Sequence, residues 1–273
     1  MTVQRARGVT MPHPPTDRSP AEVGPARQGP RIRKPTRQRI VDDVVESIEE
    51  AILSGRMQAG ERLLETWIGD ELSVSRTTVR EALLKLERRG LVVSQPRRGT
   101  FVTRISRQDS EDLRATRALL EAYALGIGYS AIDETTIAQL EACLEEMRAC
   151  VLPDDVPRLV KIDIAFHSLL IAGATAPRVR DLWASLNGQM SVLFLSALES
   201  RHASTDDVVS FHRELLDDVR SGDPARAQEG VIVHYLGNED QPIPEAMARG
   251  IAEVAATVTA RLSLANSRET DAK

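Results

Sequence analysis

Between Arg37 and Gly55 the apolar residues return at helical intervals. Val41, Val44, Val45, Ile48 and Ile52 form the one-sided stripe of an amphipathic helix that Gly55 ends. A polar turn, GRMQAGERL, leads to a short second helix around Glu65 to Leu72. In SVSRTTVREALLKLERRG, Ser75 is placed to cap a third helix, and Val79, Ala82, Leu83 and Leu86 supply its inward stripe. The period then changes. In LVVSQPRRGTFVTRI two β-branched runs, Leu91 to Ser94 and Thr100 to Val102, flank a basic turn of Pro96, Arg97, Arg98 and Gly99, which predicts a small hairpin. Helix, helix, short turn, helix and hairpin is the order of a winged helix-turn-helix.

Beyond Ile105 the strand signals vanish. The apolar spacing predicts helices over about 109–130, 133–151, 154–174, 177–199, 204–221, 223–236 and 241–264. Gly222-Asp223-Pro224 shows the punctuation, with Gly closing one helix and Pro in the first turn of the next. About seven helices without long gaps indicate one all-α antiparallel bundle. The expected fold is therefore mainly α: a winged helix-turn-helix over 37–104 and a helical domain over 105–265. Residues 1–36, rich in Pro, Gly and Arg and without apolar period, read as a disordered basic arm, and 266–273 as a tail.

Charge sharpens this division. The net charge is −5, but residues 1–104 hold 19 Lys and Arg against 13 Asp and Glu, whereas 105–273 hold 16 against 27. The first part suits a polyanion and the second does not. No apolar run is long enough to cross a bilayer and no secretory signal is evident, so the expected compartment is the cytoplasm. Cys143 and Cys150, seven apart on a predicted helix, are about 10.5 Å apart along its axis, too far for a disulfide.

Two sets of residues carry candidate chemistry. Arg76, Thr77, Thr78 and Arg80 crowd the first turn and a half of the third helix, where a recognition helix meets phosphates and base edges. A solvated charged face would look similar, but the basic wing follows directly. In the helical half, KIDIAFHSLL sets Asp163 and His167 four apart on one helix face. That pair is a metal half-site, an acid/base pair or a local ion pair. His202, His212 and His234 follow on or between later helices, and imidazoles with a carboxylate inside a bundle can hold a divalent transition metal.

The run ILSGRMQAGERLLETWIGDELSVSRTTVREALLKLERRGLVVSQPRRGTFV resembles the N-terminal winged helix of the GntR family of bacterial transcriptional regulators. The resemblance implies DNA contacts from Arg76, Thr78 and Arg80 with help from Thr77, and from a wing tip of Arg97, Arg98 and Gly99. Ser73 stands where the family usually has Gly, Gly69 where Ala is usual, and Thr66 where some members carry a DNA-contacting Arg. DIAFHSLL followed by FHRELLDDVRSGDPARAQEGVIVHYL is similar to the FCD effector domain of the FadR-like branch. That similarity implies a cavity metal held by Asp163, His167, His212 and His234, with zinc the first choice and nickel or manganese the alternatives. His202 does not match and reads as a surface residue. Ala176 replaces an Asn common in the family. Arg117 matches a family Arg that can face the cavity and pair with a carboxylate effector; pairing with Glu121 on its own helix surface is the competing reading.

The resemblance implies a ligand-responsive repressor that binds a palindromic operator as a homodimer and is released by a small organic acid. A metalloenzyme using the Asp/His site and a constitutive DNA binder with a structural metal are the alternatives.

Overall fold

The computed structural model describes residues 37–201 and 204–237, together with 250, 253 and 257. The expected arm (1–36), the expected last bundle helix (241–264) apart from those three positions, the tail and His202 lie outside the described residues.

The winged helix begins with α1 (Arg37–Leu53), whose Val41, Val44, Val45, Ile48 and Ile52 are all buried. After β1 (Arg62–Leu63) come α2 (Glu65–Glu71) and α3 (Arg76–Arg88), then the wing strands β2 (Val92–Gln95) and β3 (Gly99–Val102). The sheet order is β1-β3-β2, all antiparallel, with Arg62 opposite Phe101 and Gln95 opposite Gly99. The two-residue β1 was not expected, being too short to show alternation. Ser73, in the turn before α3, takes φ 52°, the left-handed conformation that favours glycine. A Cβ at Gly69 would sit 3.1 Å from the Val74 carbonyl oxygen, a contact that requires its neighbour to give by a few tenths of an ångström.

The helical domain runs α4 (Arg107–Gly128), a 3₁₀ turn (Tyr129–Ala131), α5 (Glu134–Arg148), α6 (Val156–Ala172), α7 (Pro177–Ser185), α8 (Asn187–Arg201), α9 (Thr205–Arg220) and α10 (Pro224–Leu236). Its starts are set locally. Ser106 with Asp109, and Ser204 with Asp207, form reciprocal capping boxes, while Asp223 caps α10 ahead of Pro224. Ala118, Leu125, Leu144, Leu159, Phe166, Leu216 and Val231 meet in its core, and α4 packs against α10, α6, α7 and α8.

The helix expected over 177–199 is broken in two. Arg117 Nη1 donates to the Trp183 carbonyl at 3.0 Å and to Asn187 Oδ1 at 2.8 Å. Leu186 N–H turns back to Trp183 O, so α7 closes there and α8 restarts at Asn187. Helix α8 is also where the two domains interlock. Val192 is buried in the winged-helix core, and Gly188 N–H donates to the Arg89 carbonyl at the end of α3 at 2.9 Å. No side chain fits at that contact, since a Cβ on Gly188 would lie 2.1 Å from Arg89 O.

Candidate functional site

The face expected to meet nucleic acid is built by the start of α3 and the wing. Ser75 caps α3, its hydroxyl accepting from Thr78 N–H at 3.1 Å. Arg76 and Thr77 then project into solvent. Thr78 does not: it is 7% exposed and its hydroxyl shares a 2.8 Å hydrogen bond with Ser75. The expectation that Thr78 belongs to the reading face is corrected, because the third residue of the helix turns inward to complete the cap. Arg80 is exposed but held by Glu65 of α2, with Nε donating to both carboxylate oxygens at 2.9 and 2.8 Å. In the wing, Arg98 N–H closes the turn onto Gln95 O at 3.0 Å. Arg97 (φ 63°) and Gly99 (φ 108°) take left-handed backbone there, and Arg97, Arg98 and Gly99 are all exposed.

In the helical domain, His167 (α6), His212 (α9) and His234 (α10) converge, each offering one ring nitrogen within 4.8 Å of the others. Each ring has its second nitrogen engaged by an oxygen. His167 Nδ1 meets Glu121 Oε2 at 2.8 Å. His212 Nδ1 meets the Val208 carbonyl at 2.8 Å, and His234 hydrogen-bonds the Phe211 carbonyl. A carbonyl can only accept, so those nitrogens of His212 and His234 carry the protons and the remaining ones present lone pairs. His234 Nδ1 is buried without a partner. His212 Nε2 faces Asp163 Oδ1 at 3.0 Å, so in the neutral ring a lone pair opposes a carboxylate. A proton or a metal cation between them resolves both anomalies. The donor set, three imidazoles backed by oxygen acceptors and one carboxylate, fits a divalent transition metal.

The electrostatics differ from ring to ring: burial lowers the His167 imidazole, but Glu121 and Asp163 outweigh it and raise it, so a metal there has to displace a proton. Burial, reinforced by His212 and His167, holds His234 well below its ordinary pKa, hence neutral and able to ligate. Burial raises the Asp163 carboxyl, but a proton placed on His212 Nε2 would hydrogen-bond it, and this with the neighbouring imidazoles outweighs burial and keeps Asp163 below the usual range. Glu121, fully buried, would likewise be raised by desolvation, yet His167, Arg117 and Trp183 bring it to about 2. It remains a carboxylate and so can fix the proton on His167 Nδ1.

Of the three readings of the Asp163 and His167 pair, the local ion pair is not formed: Asp163 turns to His212 and His167 turns to Glu121. Arg117 does pair with Glu121, at 3.4 Å, but in the interior and not on the helix surface, with exposures of 1% and 0%. Its guanidinium also stacks over Trp183 at 4.0 Å. Sequence reasoning missed Trp183 and Tyr235 altogether, and named Glu121 only as a surface partner of Arg117. Glu121 Oε1 accepts from Trp183 Nε1 at 2.6 Å and from Tyr235 Oη at 2.7 Å. The one available signal was a charge pair, Arg117 and Glu121, inside the otherwise apolar ATRALLEAYAL.

Asp163, His167, His212, His234, Arg117 and Arg114 line one cavity of about 520 Å³. Among the described residues no helix is long and apolar enough to cross a membrane.

A winged helix that keeps its basic tip and third-helix arginines in solvent, fused to a helical domain with its own cavity, defines a DNA-binding transcriptional regulator. Residues 40–102 match the family of bacterial regulatory proteins called gntR, and 112–237 match the FCD domain; the chain belongs to the GntR family and carries an FCD domain. It is 25% identical over 199 residues to the "Probable D-xylose utilization operon transcriptional repressor" of Paenarthrobacter nicotinovorans, covering 73% of this chain and 87% of that one. With the gluconate operon transcriptional repressor of Bacillus subtilis it shares 27% over 150 residues, 55% and 61% of the two chains. A GntR transcriptional regulator from Rhodococcus sp. RHA1 has the same fold, with a TM-score of 0.60, 23% identity and coverage of 77% and 96%. The family consists of regulators, so the metalloenzyme alternative is set aside.

Proposed function

We propose that the protein is a repressor whose grip on a palindromic operator, bound as a homodimer, is loosened by a small carboxylic acid at the metal site of the helical domain. The names of the two repressor relatives support the sign of regulation. Arg76, Thr77 and Arg80 at the head of α3 are placed for base edges and phosphates, and Arg97, Arg98 and Gly99 for the adjoining groove. Two-fold symmetry follows from the limited surface one winged helix buries on DNA.

His167, His212, His234 and Asp163 would hold the metal, which, when bound, supplies an electrophilic point for a carboxylate oxygen. The protein's own groups do the rest. Glu121 and the Val208 and Phe211 carbonyls orient the three imidazoles, and Arg117 gives the cavity a cationic wall.

One observation carries the regulatory reading: the site and the recognition helix are joined by consecutive contacts. His167 is hydrogen-bonded to Glu121 and Glu121 is paired with Arg117. Arg117 grips Asn187 at the head of α8, and the next residue, Gly188, is hydrogen-bonded to Arg89 at the tail of α3. A ligand that draws on Arg117 or Glu121 therefore perturbs the seat of α3, and with it the spacing of two winged helices on a dimeric operator. Such a coupling is reciprocal, and typically about 5–150-fold in affinity.

The test is operator binding by the full chain, followed by fluorescence anisotropy, with zinc bound and carboxylic acids added in turn. Acids that bind are expected to weaken operator affinity, and His167→Ala to abolish both zinc binding and the response. If His167→Ala loses zinc but keeps the response, the metal is structural and the proposal fails.

A further inference from the structure

Beside the histidine site, much of the cavity wall between α8 and α9 is apolar. Leu193, Phe194 and Leu198 of α8 face Val208, Phe211 and Leu215 of α9. Among the described lining residues there is no serine, threonine, asparagine or glutamine. Outside the histidine site with its Arg114 and Arg117, the polar lining groups are Glu214, which is exposed, and Tyr235, Asp207 and Asp218, which are engaged. Tyr235 Oη donates to Glu121. Asp207 accepts from Ser204 N–H at 2.8 Å within its capping box, and Asp218 is paired with Arg226 at 2.8 Å. A hydroxyl lying between the apolar side chains of α8 and α9 would leave water without a replacement partner there.

Resting on the reading of this cavity as the effector site, we infer that the effector is a monocarboxylic acid with an apolar body, aliphatic or aromatic, and not a sugar acid or other polyhydroxy acid. The carboxylate goes to the histidine end, where Arg117 and Arg114 balance its charge. The hydrocarbon part lies between α8 and α9. Specificity then comes from the side chains of α8, the same helix whose head rests on α3.

Calorimetric titration of the zinc-loaded full chain, without DNA, tests this with hexanoate, octanoate and gluconate. Hexanoate and gluconate have the same number of carbons and differ only in hydroxyls. Octanoate is expected to bind about tenfold or more tighter than hexanoate through its two extra methylenes, with a negative heat-capacity change. Gluconate is expected to bind at least about a hundredfold more weakly than hexanoate, since one unpaired hydroxyl in an apolar pocket is already worth on the order of 10². Leu193→Ser should weaken octanoate several-fold while leaving zinc binding intact, which reports that the site is still folded. Gluconate binding as tightly as octanoate, or no binding of either aliphatic acid, overturns the inference, as does unchanged octanoate affinity in Leu193→Ser. Octanoate that binds but leaves operator affinity unchanged contradicts the proposed regulation while the assignment of ligand class stands.

Discussion

Gly188→Ala probes the joint between the two domains with a single methyl group. The new Cβ would begin 2.1 Å from the Arg89 carbonyl oxygen and 2.8 Å from both Leu91 N and Leu91 Cγ. Reaching an ordinary contact of 3.4 Å from Arg89 O requires a retreat of about 1.3 Å, the difference between the two distances, and two of the three atoms met, Arg89 O and Leu91 N, are backbone. Overpacking of this kind costs about 1–3 kcal/mol. The Gly188 N–H to Arg89 O hydrogen bond is lost with the retreat, worth about 1 kcal/mol. Alanine returns up to about 1 kcal/mol through helix propensity within α8. The net expectation is destabilisation by about 1–3 kcal/mol. The assay is urea unfolding followed by tryptophan fluorescence, because Trp67 lies in the winged helix and Trp183 is buried in the helical domain. The midpoint should fall by on the order of 1 M, with zinc binding retained and operator affinity reduced. An unchanged midpoint together with unchanged operator affinity would falsify the claim that α8 seats directly on α3.

Other expectations follow from single contacts. Glu121→Gln removes the charge that fixes the proton on His167 Nδ1, and should lower zinc affinity about 10–100-fold in a competitive chelator titration; wild-type affinity would show that Glu121 has no part in orienting the ligand. Ser75→Ala deletes the α3 cap and should destabilise by about 1 kcal/mol in the same urea assay, with weaker operator binding, whereas equal stability would mean the Thr78 N–H finds another acceptor. Arg97→Ala and Arg98→Ala, if each loses one phosphate contact, should each reduce the slope of log operator affinity against log salt by about 1. A slope unchanged in both variants would place the wing away from the DNA.

The winged helix was legible in the sequence because its determinants are local. The stripe from Val41 to Ile52, the Ser75 cap and the inward Val79, Ala82, Leu83 and Leu86 all lie within single helices, and each is buried or bonded as its spacing implied. What was misread there was also local but too short: the two residues of β1, and Thr78, whose place in the cap overrode its polarity. In the helical half, spacing set Asp163 and His167 on one face. It could not say that they would turn to different partners, because Glu121 and His212 are 46 and 49 residues away in sequence. The break at Leu186 was hidden for the same reason, since it is imposed by Arg117 from another helix. Long-range pairing of buried polar groups is decided by tertiary packing, and a single sequence carries little trace of it.

The proposed energetic coupling between the histidine site and the recognition helix runs through the head of α8. The direct measurement is the ratio of operator dissociation constants with and without a cavity-bound acid, on zinc-loaded protein, in the wild type and in Asn187→Ala. That variant removes the acceptor for Arg117 while leaving every proposed zinc ligand in place. A wild-type ratio of about 5–150 that falls toward 1 in Asn187→Ala, with zinc and acid still bound, is the result expected. A wild-type ratio of 1, or an Asn187→Ala ratio equal to the wild type, contradicts it.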